Sequence, residues 1–106
     1  MNDYSVEITR SVEKDLENLG HLREEAVNKL LTLEKRPETK GSSLKGNLKG
    51  LLSYKFNLPG AGAFRAIYYI KDEKNVCLII IIGSRENIYL QAHRRYQYLK
   101  KQGLID

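Results

Sequence analysis

Val76-Cys77-Leu78-Ile79-Ile80-Ile81-Ile82 is the stretch that decides the fold. It is an unbroken apolar run, rich in β-branched residues and ended by Gly83, with a turn at 72–75 before it. A run this short and this apolar reads as a central strand covered on both faces. Two alternating segments precede it. Leu52, Tyr54, Phe56 and Leu58 alternate with Ser53, Lys55 and Asn57, and Phe64, Ala66, Tyr68 and Ile70 alternate with Arg65, Ile67 and Tyr69. Pro59-Gly60-Ala61-Gly62 supplies the turn between them, so 52–82 reads as a three-stranded meander.

Outward from the meander the periodicity becomes helical. After 89, Ala92, Tyr96 and Leu99 form a stripe, with Gly103 as its stop. At the other end, Tyr4, Val6 and Ile8 alternate with polar residues as a first strand. Thr9 or Ser11 can cap a helix whose apolar face is Val12, Leu16 and Leu19, stopped by Gly20. A second helix carries Leu22, Ala26, Leu30 and Leu33, and Pro37 forbids its continuation. The short link at Gly20-His21 predicts an antiparallel helix hairpin. Residues 38–51, with Gly41, Gly46, Gly50, Lys40, Lys45 and Lys49, read as an exposed basic loop. The expected architecture is α+β: one small domain over 1–106, ordered β-α-α-β-β-β-α. It has an antiparallel sheet core, an N-terminal helix hairpin and a C-terminal helix.

The 106 residues suit one domain and exclude a second catalytic one. The net charge of +5 is unevenly spread. Residues 1–38 hold 6 basic and 9 acidic side chains, a balance of −3, whereas 39–106 hold 12 basic and 4 acidic, a balance of +8. The positive part is either a face for polyanions or a solubilising surface. Cys77 is the single cysteine, which excludes an internal disulfide and a Cys-based metal site. The opening Met1-Asn2-Asp3-Tyr4 carries no export signal, and the run 76–82 falls far short of the roughly 20 residues that span a bilayer. A soluble, cytoplasmic protein without a membrane partner is expected.

Strand parity gathers part of the positive charge. With even positions sharing the core face, the simplest hairpin register sets Leu58 opposite Phe64 and Asn57 opposite Arg65, with Lys55 on the diagonal. The next turn returns the chain so that 82–85 lies beside the start of 64–70. Lys55, Asn57, Arg65, Arg85 and Tyr89 are thus expected near one end of one sheet face. Clustered cations repel unless an anion sits among them, and Glu86 is the single nearby acid. Arg65 can alternatively lay its stem on the sheet and extend its head to water. Tyr89 can stack on a nucleobase or cap the apolar edge beneath the last helix. No Ser/His/Asp spacing, phosphate-cradling glycine loop or carboxylate pair stands out. The two histidines, His21 and His93, are not placed for a two-histidine ribonuclease site.

Leu44-Lys45-Gly46, Tyr54-Lys55, Gly62-Ala63-Phe64-Arg65-Ala66-Ile67-Tyr68 and Ile82-Gly83-Ser84-Arg85-Glu86-Asn87-Ile88-Tyr89, in this order and spacing, resemble the RelE/ParE toxin superfamily. The resemblance covers most of the chain, including the helix hairpin before these motifs. It implies a toxin of a type II toxin–antitoxin pair. RelE-like members cut mRNA, typically in the ribosomal A site, without a metal or other cofactor. ParE-like members share the fold but inhibit DNA gyrase and do not cut RNA. Carried onto this sequence, the RelE-type catalytic set falls on Lys55, Arg65, Arg85 and Tyr89. Asn57 stands where some relatives have a second lysine, and Ser84 where many have His or Lys.

The resemblance implies that a ribose 2′-OH attacks the adjacent phosphorus while Arg65 and Arg85 stabilise the phosphoryl charge. Lys55 is the candidate for activating the 2′-OH, and Arg85 or a water for protonating the leaving oxygen. Lys45, Lys49, Asn57, Arg94 and Arg95 would be RNA contacts. The implied partners are a cognate antitoxin, the ribosome and mRNA, with operator DNA reached only through the antitoxin complex. The competing expectations are a gyrase inhibitor and a remnant that only binds antitoxin and operator.

Overall fold

A computed structural model describes residues 3–84 and 88–105. The chain forms β1 (Ser5–Ile8), α1 (Arg10–Glu17), α2 (Arg23–Leu31), the short α3 (Pro37–Lys40), β2 (Ser42–Ser43), β3 (Leu52–Leu58), β4 (Gly62–Lys71), β5 (Val76–Gly83) and α4 (Ile88–Lys101). The strands make one five-stranded sheet in the order β1-β5-β4-β3-β2. The meander β3–β4–β5 is antiparallel as its alternation requires, while β1 joins the sheet parallel to β5. The connection from β1 to its parallel partner β5 runs through residues 9–75, including α1, α2 and the β3–β4 hairpin, well beyond the dozen or so residues such a pairing needs.

Helix α1 begins at Thr9, whose Oγ1 accepts a hydrogen bond from the Val12 N–H at 3.2 Å, so Thr9 and not Ser11 is the cap. Val12 and Leu16 from α1, with Ala26, Leu30 and Leu33 from α2 and the turn after it, pack on one sheet face against Phe56, Leu58, Phe64, Ala66, Tyr68, Cys77 and Ile79. The opposite face, carrying Ile67, Leu78, Ile80 and Ile81, is covered by Ile88, Ala92, Tyr96 and Leu99 of α4. Every residue of 76–82 is buried, as expected for a strand sandwiched between two helical layers. Among the described residues, no helix is long and apolar enough to cross a membrane.

Residues 38–51 are more structured than their glycines and lysines suggest. The helical turns after α2 stop at Glu34, and Pro37 opens α3 at a position where its missing N–H costs no hydrogen bond. The Tyr68 hydroxyl donates to the Pro37 carbonyl at 2.6 Å, and a Cβ on Gly41 would run into that hydroxyl. Glycine is therefore required at 41 for the backbone to cross the buried phenol. Further on, Leu48 and Leu51 are buried in the α4-side core and anchor the segment, leaving Lys45 before them and Lys49 between them exposed.

Candidate functional site

The β3–β4 hairpin sets the position of the basic residues. The register pairs Leu58 with Gly62, Phe56 with Phe64 and Lys55 with Arg65, while Asn57 faces Ala63. Parity is as expected, but the register is displaced by two residues from the Leu58–Phe64 pairing. The cause is the turn. The Ala61 N–H donates to the Leu58 carbonyl at 3.0 Å, and Gly60, following Pro59, has φ +76°. Pro followed by a positive-φ glycine closes a tight turn, so the strands pair at once and no five-residue loop is needed. The correction strengthens the cluster, because Lys55 and Arg65 become direct cross-strand neighbours and Asn57 moves to the diagonal.

Both lie on the face that α4 covers, since they alternate with Phe56, Phe64 and Ala66 of the other core. Arg65 is half-buried and Lys55 exposed. Among the described residues neither has an acidic partner; the one ion pair there joins Arg95 to Asp15. Like charges directly opposed on a sheet are unfavourable, and an anion between them would relieve that repulsion.

On its other side Arg65 borders β5. Arg65 pairs with Gly83, and the β4–β5 ladder shifts between Ile67 and Tyr68, which face Ile81 and Ile79. The extra residue, Ile80, makes a bulge that reverses the parity of the strand end. Ile80 and Ile81 consequently both face α4, Ile82 returns to the α1–α2 side, and position 83 shares the face of Arg65. Gly83 also admits the start of α4, because a Cβ there would approach the Ile88 Cδ1 to 3.1 Å. Tyr89, in the first turn of α4, is half-buried and packs on the same core, as one of its two expected roles requires. Arg85 and Glu86 lie outside the described residues.

The remaining expected RNA contacts separate into two groups. Lys45, Lys49 and Arg94 are exposed. The Lys49 carbonyl accepts the Tyr96 hydroxyl at 3.1 Å, which ties the lysine-bearing segment to α4. Arg95 is used otherwise: its two terminal nitrogens grip the Asp15 carboxylate at 2.7 and 3.0 Å, and Nη1 also donates to the Ile80 carbonyl at 3.0 Å. Its guanidinium is thus committed to the protein's own backbone and to α1. Asp15 was not visible as special in the sequence, where it reads as one of many acids on the helix hairpin. His21 sits in the turn between α1 and α2, which cover the face opposite to Lys55 and Arg65.

Burial governs the shifted acids. The Cys77 thiol is pushed up to about 12 by desolvation, so it stays protonated and inert. Burial also raises the Tyr68 phenol well above its ordinary range, and this hydroxyl acts as a structural donor. Neither group belongs to the basic row.

The family model described as the ParE-like toxin of type II bacterial toxin–antitoxin systems matches residues 6–93. A search of the curated proteins finds no match. Among solved structures, the chain is similar to a chain of the RelBE2 toxin–antitoxin complex of Mycobacterium tuberculosis, with 26% identity and a TM-score of 0.69 over 78% of this chain and 99% of the other. A mutant E. coli toxin RelE in the free state gives 28% identity and a TM-score of 0.67, covering 88% of this chain and 97% of that one. The intact E. coli RelBE toxin–antitoxin complex gives 28% identity and a TM-score of 0.60, covering 78% and 98%.

Proposed function

The chain belongs to the ParE-like toxin family of type II toxin–antitoxin systems, and from its similarity to the E. coli toxin RelE together with its cationic strand pair we propose that it is an endoribonuclease that cuts mRNA on the ribosome and so stops translation. The observation that carries this reading is the Lys55–Arg65 cross-strand pair beside Gly83, two cations without an acidic partner among the described residues. A phosphodiester supplies the missing charge. In the reaction, the ribose 2′-oxygen bonds to the adjacent phosphorus as the bond from phosphorus to the 5′-oxygen breaks. The 2′-OH gives up its proton and the 5′-oxygen gains one.

Lys55, the more exposed cation, lowers the cost of deprotonating the 2′-OH. Arg65 stabilises the charge that grows on the non-bridging oxygens, and Arg85 joins it there and, directly or through a water, protonates the leaving oxygen. Tyr89 stacks on a base and orients the nucleotide. Acid–base groups of this modest kind suffice where the ribosome fixes the substrate, since positioning alone contributes several kcal/mol. Asn57, Lys45, Lys49 and Arg94 contact RNA backbone, and the Arg95 contact is withdrawn from this set because its guanidinium holds Asp15. A cognate antitoxin neutralises the toxin, and the pair reaches operator DNA only as a complex.

The test is to induce the chain in cells and map mRNA 5′ ends by primer extension. New ends confined to translated frames, lost with Arg65→Ala, are expected. Intact transcripts accompanied by DNA damage would transfer the protein to the gyrase-inhibiting branch.

A further inference from the structure

The outer edge of β5 has two neighbours. Up to Ile79 it is β1, whose pairing ends at Ile8 opposite Ile79. Beyond that point β1 has turned away into α1, and the Ile80 carbonyl and Ile82 N–H would be orphaned at a sheet edge. Asp15 and Arg95 take the place of the missing strand. The Ile82 N–H donates to Asp15 Oδ2 at 3.1 Å, and the Ile80 carbonyl accepts from Arg95 Nη1 at 3.0 Å. The two side chains close on each other through a bidentate pair, the strongest geometry available to a carboxylate and a guanidinium. Asp15 comes from α1 on one face of the sheet and Arg95 from α4 on the other, so three layers meet at this point.

The position of this clasp is specific. It grips the bulged Ile80 itself and Ile82 two residues beyond, and the bulge is what turns position 83 toward Arg65. Arg95 also lies six residues beyond Tyr89 on the same helix. We infer that the Asp15–Arg95 pair is the positioning element of the candidate site, holding the β5 bulge and the α4 helix so that the strand end faces Arg65 in one fixed geometry. As a statement about catalysis this rests on the RNA-cleaving reading; as a statement about geometry it does not.

The test compares the wild-type chain with Arg95→Met, which keeps the stem but loses the fork, and Arg95→Lys, which keeps one donor. Amide exchange is read along β5, and single-turnover cleavage is read on mRNA-programmed ribosomes. In Arg95→Met, exchange at Ile82 and Gly83 is expected to rise about tenfold or more, while amides in 76–79 beside β1 hold their protection. The rate of the bound complex falls about tenfold with KM within about threefold, and Arg95→Lys recovers part of both. Uniform loss of protection along β5, no loss at all, or undiminished cleavage would overturn the inference. A wild-type chain that cuts nothing would overturn the RNA-cleaving reading alone, and the exchange pattern would still decide the positioning role.

Discussion

Replacing Lys55 by glutamate should make the protein more stable and its site useless. Lys55 and Arg65 occupy directly opposed positions, where Cβ atoms stand about 5 Å apart and flexible charged heads average about 7 Å. At that distance two unit charges in water repel by about 0.6 kcal/mol, so reversing one sign swings the pair by about 1.2 kcal/mol. Mobility and screening reduce the gain to about 1 kcal/mol. For a domain of this size that corresponds to a rise in Tm of about 4–6 °C. Calorimetry at about 0.02 M and about 0.5 M salt separates the Coulombic part, because the Debye length shrinks several-fold between them. The gain should be full at low salt, largely lost at high salt, and about half as large in Lys55→Gln. An unchanged or lowered Tm at low salt, or a gain indifferent to salt, would refute the picture of a strained cationic pair awaiting an anion.

Other consequences follow from the packing. Gly41→Ala drives a methyl toward the Tyr68 hydroxyl and the Ser53 carbonyl, and should cost about 1–3 kcal/mol in urea unfolding. Tyr68→Phe leaves the Pro37 carbonyl without its 2.6 Å donor, a loss of about 1–2 kcal/mol. In the double variant the two costs should sum to more than is measured, since the phenol oxygen causes part of the first. Above pH 9.0, the ordinary value for Cys77, the unfolded thiol ionises while the folded one keeps its proton until about 12. The folded state then binds more protons, so stability falls by about 1.4 kcal/mol per pH unit across that window. Urea midpoints should show the decline from pH 9, and Cys77→Ala should delay its onset to the ionisation of unfolded Tyr68.

What could be read in the sequence is what local periodicity encodes. The run 76–82, the alternation in β3 and β4, and the stripe Ala92-Tyr96-Leu99 all appear in the structure as two cores on two sheet faces. Parity alone put Lys55, Asn57 and Arg65 on one face. Register was not legible, because it depends on how tightly Pro59 and Gly60 turn, and a tight turn moved Lys55 opposite Arg65. The bulge at Ile80 leaves no trace in a run of four isoleucines, although it determines which way Gly83 faces. Nor could composition tell Arg94 from Arg95: both are arginines on α4, and only the path of α1 past the open edge of β5 gives Arg95 a carboxylate to hold. The segment 38–51 reads as an exposed basic loop by its glycines and lysines, whereas Leu48 and Leu51 anchor it through tertiary contacts that no window of sequence contains.

Arg65 and its neighbours are proposed to promote attack by a ribose 2′-OH on ribosome-bound mRNA. The most direct measurement is cleavage of mRNA-programmed ribosomes by the purified chain, with the 2′-OH at the cut position either present or replaced by hydrogen. Cutting of the ribose substrate by the wild type is expected, with none of the deoxy-substituted one and none of either by Arg65→Ala. Equal cutting of both substrates, or an uncut ribose substrate on a translating ribosome, would contradict that proposal.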